Sequence, residues 1–316
     1  MKALFLGVDG GQSSTIALIG DEDGKVIGSG RGGPCNHVKS GDGREKFLRA
    51  IGECLSAACR EAGLDVESVE FESACLGFSG GPQDKEPILR QMLRARRMMV
   101  STDAPIALAG ATGGEPGVIT IAGTGSISWG RNRDGRAARA GGWGYIFGDE
   151  GGAFDIVRQA LRAALRQEEG WGPPTALHAR LLEAAGAASA NDLLHLCYTV
   201  DWPRPRIAEL SKLVDETAEE GDAVARQILE RAAQDLAEIT AAVRNQLFQK
   251  GERVQVAYIG GVFKSRLLRE RFTRLVELSE GNTVSAPLYP PAAGALIEAY
   301  AAAGLRPRLS GVPELK

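Results

Sequence analysis

The sequence predicts an α/β protein with two domains, and three observations support that prediction. The chain has 316 residues, and at roughly 150 residues per domain this length favours two domains. In the first 111 residues, short apolar segments with strand character are interspersed with segments of helical periodicity. The chain opens with a strand, a glycine turn, a second strand and an acidic turn, and the same order returns after residue 117. Two halves that begin alike indicate an internal duplication of architecture.

The composition excludes several classes of protein. Lys and Arg number 37 and Asp and Glu 40, which gives a formal net charge of −3, whereas nucleic-acid binders usually have a basic surplus. We expect no membrane span and no signal peptide, because no apolar run is long enough for either. The 5 cysteines are odd in number and lack C-x-x-C spacing. This pattern argues against a disulfide framework or structural zinc and favours a reduced, cytoplasmic protein.

The first half of the chain is predicted to form one sheet with its helices. Apolar stretches that end in Gly- and Asp-rich turns indicate short strands. Apolar residues at helical spacing before Gly63 indicate a helix. The expected strands span 3–8, 15–19, 25–30, 69–78 and 98–102. The expected helices span 44–62, 83–96 and 104–111, the last of them begun by Asp103 as an N-cap.

The second half begins after a Gly- and Pro-rich cluster at 113–117, which marks a boundary. Residues from 149 to about 250 have helical periodicity, with breaks at 170–174 and 202–205, so a helical insertion is expected there. The other expected elements are strands over 118–122, 127–131 and 254–259 and helices over 265–278 and 291–303.

Two glycine turns have the composition of phosphate-binding loops, and a third is suited to a flat ligand. In Asp9-Gly10-Gly11-Gln12-Ser13 a carboxylate precedes the glycines and hydroxyls follow, a set suited to a Mg²⁺-phosphate group. Gly123-Thr124-Gly125-Ser126 is similar but lacks the acid, and Gly260-Gly261 would let a flat ring such as a purine lie against the backbone. Each turn by itself is also explained by a hairpin or by close packing. Neither the Walker pattern nor the dinucleotide fingerprint is matched.

Further features are open to more than one interpretation. Gly77-Phe78-Ser79-Gly80-Gly81 matches the nucleophile elbow of hydrolases, with His178 and His195 downstream as bases, although both histidines fall in helical stretches. Asp149 precedes a helix and is typical of an N-cap. Trp143 stands among three glycines, a setting that is costly to order for a turn alone and that favours ligand contact.

Seven segments, in chain order, lead to a family resemblance. They are Val8-Asp9-Gly10-Gly11, Asn36-His37, 76–81, Thr102-Asp103-Ala104, 123–126, 141–144 and 148–151. Together they resemble the N-acetylglucosamine kinase family, the BadF/BadG-type ATPase branch of the superfamily that contains actin, sugar kinases and heat-shock chaperones. The resemblance implies a two-domain actin-like ATPase (ribonuclease H-like) fold, each domain a mixed five-stranded sheet flanked by helices. The implied domains are 1–115, on which helix 291–303 packs back, and 116–290, with the helical insertion.

The resemblance implies an ATP-dependent kinase that phosphorylates the 6-hydroxyl of an amino sugar. N-acetylglucosamine is the first expectation, and glucosamine and N-acetylmuramic acid remain open. Expected partners are ATP, Mg²⁺ and a second copy of the chain, with no nucleic acid and no membrane. The alternative is an ATP-driven activator of a dehydratase or reductase, which has no sugar substrate and uses cysteines to hold an iron-sulfur cluster.

The resemblance also assigns roles to individual residues. Asp103 matches the catalytic base, and Asp9 matches the position in the Mg²⁺ environment. The sugar-contacting positions are Asn36, Asp103, Gly142, Trp143 and Asp149. The nucleotide-contacting positions are Gly10, Gly11 and Ser13 in the first turn, Thr124, Gly125 and Ser126 in the second, and Gly260, Gly261 and Lys264 on the adenosine side.

Overall fold

The computed structural model describes residues 3–11, 13–35, 38 and 41–314. The chain divides into two compact units: unit 1 is Met1–Pro116 with Pro287–Lys316, and unit 2 is Gly117–Ala286. Within the described ranges, each unit contains one five-stranded sheet. No helix in these ranges has both the length and the apolar character needed to cross a lipid bilayer.

The described elements follow one another in this order. The strands are β1 (Leu4–Gly10), β2 (Thr15–Asp21), β3 (Val26–Gly32), β4 (Phe71–Phe78), β5 (Ala95–Thr102), β6 (Gly117–Ala122), β7 (Ser126–Arg131), β8 (Ala137–Gly141), β9 (Val254–Ile259) and β10 (Asn282–Ser285). The helices are α1 (Gly43–Glu61), α2 (Glu86–Met92), α3 (Asp103–Thr112), α4 (Ala153–Glu168), α5 (Leu177–Ala185), α6 (Ala190–Cys197), α7 (Arg204–Glu209), α8 (Ser211–Glu219), α9 (Ala223–Leu247), α10 (Arg266–Glu277) and α11 (Pro291–Ala302). A short 3-10 helix spans Gly261–Lys264.

Unit 1 buries both faces of its sheet. Its strand order is β3-β2-β1-β4-β5, with β4 and β5 parallel to β1 and with β2 antiparallel to both β1 and β3. Because side chains alternate along a strand, Leu6 and Val8 pack in the cluster that includes α1, whereas Phe5 packs with Leu296 of α11. Gly7 allows this close packing, since a Cβ there would overlap with the backbone of α11.

Unit 2 repeats this topology strand for strand. Its order is β10-β9-β6-β7-β8, with β9 parallel to β6 and β10, and with β7 antiparallel to β6 and β8. The long helix α9 covers the sheet, because Gly130 of β7 leaves room for Val243 and Leu247. The predicted duplication of architecture is therefore confirmed, and so is the expectation of two five-stranded mixed sheets.

Some sequence-based bounds are wrong. The helix expected over 83–96 ends at Met92, and strand β5 begins at Ala95. β5 is an edge strand on which Arg96 and Arg97 pair with Glu72 of β4, so its charged sequence hides its strand character. The edge strands of unit 2, β8 and β10, are short and were not predicted.

Candidate active site

The ends of three parallel strands bring the candidate residues of unit 1 together. Gly10 pairs in register with Phe78, and Phe78 pairs with Thr102. Asp9 lies one residue before this row, and Ser79 and Asp103 lie one residue after it. Ligands in α/β proteins bind at the carboxyl ends of parallel strands. The sheet thus places two carboxylates and a hydroxyl in the expected position.

The Asp103 carboxylate is held by the Ser79 side chain, and Asp103 is not the N-cap of α3. Thr102 occupies the N-cap position of α3, and Asp103 is the first helical residue. The Ser79 hydroxyl donates a hydrogen bond to Asp103 Oδ2 at 2.9 Å. The interpretation of Asp103 as an N-cap is therefore wrong, although its place at a helix N-terminus still favours a negative charge.

The nucleophile-elbow hypothesis finds no support in these contacts. The Ser79 hydroxyl is bonded to the Asp103 carboxylate. His178 belongs to unit 2, where its Nε2 lies 2.7 Å from Glu168 Oε2. The serine that matched the elbow pattern therefore donates its hydroxyl to a carboxylate within unit 1.

Asp9 is a partly buried carboxylate beside Asp103. Burial, and then the negative charge of Asp103, raise the pKa of Asp9 to about 7. A bound cation would relieve both effects, so this environment fits a divalent ion. The described residues contain no group of three or more His, Cys, Asp or Glu side chains placed to hold a metal. Mg²⁺ commonly takes one or two carboxylates and completes its shell with water and phosphate oxygens, which this donor set allows.

The first glycine turn is tightly built. A Cβ on Gly10 would overlap with the Phe78 ring. Gly11 donates its N–H to Ser14 O at 3.0 Å and accepts the N–H of Cys35 at 3.0 Å. Ser13 is exposed at the turn. Asn36, the predicted sugar-contacting amide, lies outside the described residues.

The second glycine turn rests on the start of α4. The carbonyls of Gly123 and Thr124 accept the N–H groups of Ala153 and Phe154 at 2.8 and 3.1 Å. The Ser126 hydroxyl donates to the Glu150 carbonyl at 2.6 Å. Two of these bonds use carbonyl groups of the turn and the third uses the Ser126 hydroxyl, and together they hold the turn in place, as a preorganised anion-binding loop requires.

Asp149 is bonded to this same turn. The N-cap of α4 is Gly152, so the expectation of an N-cap at Asp149 is wrong. Asp149 is buried with φ 64°, a left-handed conformation that Asp tolerates better than most residues. Its Oδ1 accepts the Ser126 N–H at 3.4 Å, and its Oδ2 lies 3.5 Å from Arg204 Nη1. Arg204 was missed, because nothing in the sequence around it signals a partner for Asp149.

The glycines around Trp143 are required by the backbone. Gly141, Gly142 and Gly144 have φ of 76°, 72° and 80°, respectively. Gly142 donates its N–H to Ser126 O at 2.9 Å, which ties this loop to the second turn. The Trp143 ring is 64% exposed and lies 4.4 Å from the guanidinium carbon of Arg139. An exposed, cation-backed aromatic face is suited to ligand contact.

The third glycine turn lies against the end of β6. Gly260 has φ 118°, and a Cβ there would overlap with the Ala122 carbonyl. Close packing therefore explains Gly260, whereas Gly261 faces open space and needs another reason. Lys264 is exposed at the end of the 3-10 helix. Within unit 2, the second and third turns thus neighbour each other at the ends of two parallel strands.

The model of the BadF/BadG/BcrA/BcrD ATPase family matches residues 6–299. The chain belongs to this family. Within it, the chain is similar to an N-acetylmuramic acid/N-acetylglucosamine kinase of Clostridium acetobutylicum, with 34% identity over 87% of this chain and 90% of that protein. It is also similar to the N-acetyl-D-glucosamine kinase of Dictyostelium discoideum, with 33% identity over 82% of this chain and 85% of that protein.

Solved structures agree with the family assignment. A Chromobacterium violaceum protein described as a candidate N-acetylglucosamine kinase has a TM-score of 0.76 at 27% identity, and the match covers 93% of this chain and 98% of that chain. A ROK family glucokinase from Streptomyces griseus shares the fold, with a TM-score of 0.55 at 19% identity over 93% and 97% of the two chains. The resemblance drawn from seven short segments and the actin-like fold are therefore confirmed.

The cysteines do not favour the activator alternative. Cys35, Cys54, Cys59 and Cys75 are buried, and Cys197 is half-buried. Cysteines that hold a cluster between subunits would have to reach a shared surface. Of the five cysteines, only Cys197 is partly exposed within the chain.

Proposed function

We propose that this chain is an ATP-dependent kinase that phosphorylates the 6-hydroxyl of an amino sugar, most simply N-acetylglucosamine. Identity of 34% over most of the chain to a kinase of N-acetylmuramic acid and N-acetylglucosamine supports this function. The observation that supports it within the molecule is the pair of carboxylates, Asp9 and Asp103, beside one another at the carboxyl ends of the unit 1 strands.

Asp103 is the general base of the proposed reaction. It takes the proton of the sugar hydroxyl as that oxygen forms a bond to the γ-phosphorus of ATP. The bond between the γ-phosphorus and the β,γ-bridging oxygen breaks, and ADP leaves with that electron pair. Asp103 is the first residue of α3, at the carboxyl end of β5, where the proposed reaction needs the base.

The nucleotide is proposed to contact all three glycine turns. Gly10, Gly11 and Ser13 contact phosphate in unit 1, and in unit 2 the contacts are Thr124, Gly125 and Ser126 for phosphate and Gly260, Gly261 and Lys264 on the adenosine side. Asp9 would hold Mg²⁺, which when bound neutralises charge on the phosphates. The sugar is proposed to contact Asn36, Asp103, Gly142, Trp143 and Asp149.

The function is tested by measuring which sugar stimulates ADP release. ADP release with Mg-ATP is measured for N-acetylglucosamine, glucosamine, N-acetylmuramic acid and glucose against a blank without sugar. We expect strong stimulation by one of the amino sugars. ADP release that no sugar stimulates would contradict the proposal.

Asp103→Asn tests the base. Asn keeps the size of the side chain and an oxygen that can accept from Ser79, but it cannot take a proton. We expect kcat to fall by about 10²- to 10⁴-fold, with the KM for ATP changed little. A folded Asp103→Asn protein with full turnover would contradict the role of Asp103.

A homodimer and a cytoplasmic location also remain predictions. The molecular mass in solution tests the homodimer.

A further inference from the structure

Ser79 connects two parts of the proposed reaction centre through separate groups. Its backbone N–H donates to the Gly10 carbonyl of the first glycine turn at 3.2 Å. Its hydroxyl donates to Asp103 Oδ2 at 2.9 Å. We propose that Ser79 is a positioning residue that fixes the direction of the Asp103 carboxylate relative to the first glycine turn. This inference rests on the proposed kinase function and deepens it.

A carboxylate that acts as a base must present one oxygen in a defined direction. A bond that holds Oδ2 also fixes where Oδ1 points, because the two oxygens belong to one planar group. Asp103 is the first residue of α3, so only one end of its segment is held by helical bonds. The Ser79 hydroxyl supplies a restraint from the turn that follows β4. Misplacing a reacting group by about 1 Å can cost about 10²-fold in rate.

The structure also fixes Ser79 itself. Gly80 and Gly81 follow it with φ of 81° and 93°, so the chain turns sharply in a conformation that favours glycine. Lys85 anchors the end of this loop, and its side chain is 0% exposed. Its Nζ donates to Gly81 O at 2.9 Å and to Asp84 Oδ1 at 3.2 Å. Such a buried and bonded lysine restrains the loop, because moving it would leave a charge unpaired.

Close packing brings Asp103 within reach of the serine. A Cβ on Gly77 would overlap with Ile106 of α3 and would lie 2.9 Å from the Thr102 carbonyl. Glycine at this position lets the start of α3 approach the end of β4. Ser79 and Asp103 therefore meet because of strand register and a small residue, in addition to their own hydrogen bond.

The test compares kcat and KM across serine variants. For Ser79→Ala we expect kcat to fall by about tenfold or more while the KM values for sugar and ATP change by less than about twofold. Ser79→Thr keeps a hydroxyl donor and should restore most of kcat. Ser79→Cys has a weaker donor and should give an intermediate kcat. Circular dichroism confirms that each variant is folded.

A double-mutant cycle separates positioning from general disruption of the fold. If Ser79 acts through Asp103, Ser79→Ala should cost less than about twofold in kcat when it is added to the Asp103→Asn variant. Ser73→Ala is the matched control, since Ser73 is buried in β4, the strand that Ser79 follows, and its Oγ has no hydrogen-bond partner among the described residues. We expect that control to keep its full kcat.

Two outcomes overturn the inference alone: full kcat in folded Ser79→Ala with an active wild-type chain, or equal losses from Ser79→Ala in the wild-type chain and in the Asp103→Asn variant. A wild-type chain whose ADP release no amino sugar stimulates overturns the proposed function, and the inference falls with it. The wild-type assay therefore distinguishes the two failures.

Discussion

Burial and the neighbouring Asp103 raise the pKa of Asp9 to about 7, so the folded protein holds this proton more tightly than the unfolded chain does. The resulting stability is fully present below pH about 4 and is lost as the pH rises through about 7. An ionised Asp9 then costs about 2–4 kcal/mol of the free energy of unfolding. The residue proposed to hold the cation thus opposes the stability of the empty protein at neutral pH.

Asp9→Asn should remove this cost. We expect the thermal midpoint of Asp9→Asn to exceed that of the wild type at pH 8 without Mg²⁺ or nucleotide. The difference should shrink as the pH falls from about 7 to about 4. Glu22→Gln, which removes a charge from an exposed turn of the same unit, serves as the control. A difference that does not depend on pH would contradict the assignment of the raised pKa to this carboxyl.

At the residue scale, sequence patterns located the candidate residues better than they explained them. The motif around Asp103 gave its place after a strand and predicted an N-cap, whereas the side chain is held by a serine that follows the neighbouring strand β4. That partner lies 24 positions away, so no local pattern contains it. Arg204, the partner of Asp149, is also far from it in the sequence, so no local pattern contains that pair either. Lys85 appears in the sequence as an ordinary charged residue and is fully buried.

At the scale of single elements, glycines differ in what they do. Gly52 lies within α1, and a Cβ there meets nothing within 4 Å. Gly52→Ala should raise the free energy of unfolding by about 0.5–1 kcal/mol, because Ala loses less conformational entropy in a helix. Gly77→Ala should do the opposite and also lower kcat, since its Cβ would push against the start of α3. Chemical denaturation and ADP release measure the two effects, and a stabilising Gly77→Ala would contradict this account of the packing.

Predicting elements from the sequence succeeded where burial leaves a clear pattern. The central strands β1, β4 and β6 were expected within two residues of their bounds, because buried strands are continuously apolar. The edge strands β5 and β10 were harder, since β5 has arginines paired with glutamates and β10 is only 4 residues long. A charged or short edge strand protects a sheet from pairing with other chains, and the same feature weakens its sequence signal.

At the scale of the whole molecule, the repeated start of the two halves predicted the repeated sheet. The matching strand orders of the two units show that the two halves of the chain share a topology. The sequence did not reveal by periodicity alone that the last helix belongs to unit 1. Its apolar residues and its small ones, including Gly294, have no obvious partner until the packing of α11 against α3 and β1 is known.

Unit 1 is formed from two separate stretches of chain, whereas unit 2 is continuous. Without α11, Phe5 and Leu18 would lose their apolar cover, and the loss of burial would cost about 1.5–3 kcal/mol of stability for each side chain.

We therefore expect residues 1–116 alone to lack a cooperative thermal transition. Residues 117–286 retain their own core cluster and should fold alone. Joining 1–116 to 287–316 should restore folding of unit 1. The two stretches already meet, because Leu288 donates its N–H to Ala111 O at 3.1 Å. A linker of about six Gly and Ser residues therefore spans the gap. Circular dichroism melts of the three fragments measure this, and a cooperative transition in 1–116 alone would mean that α11 covers the sheet without being needed for it to form.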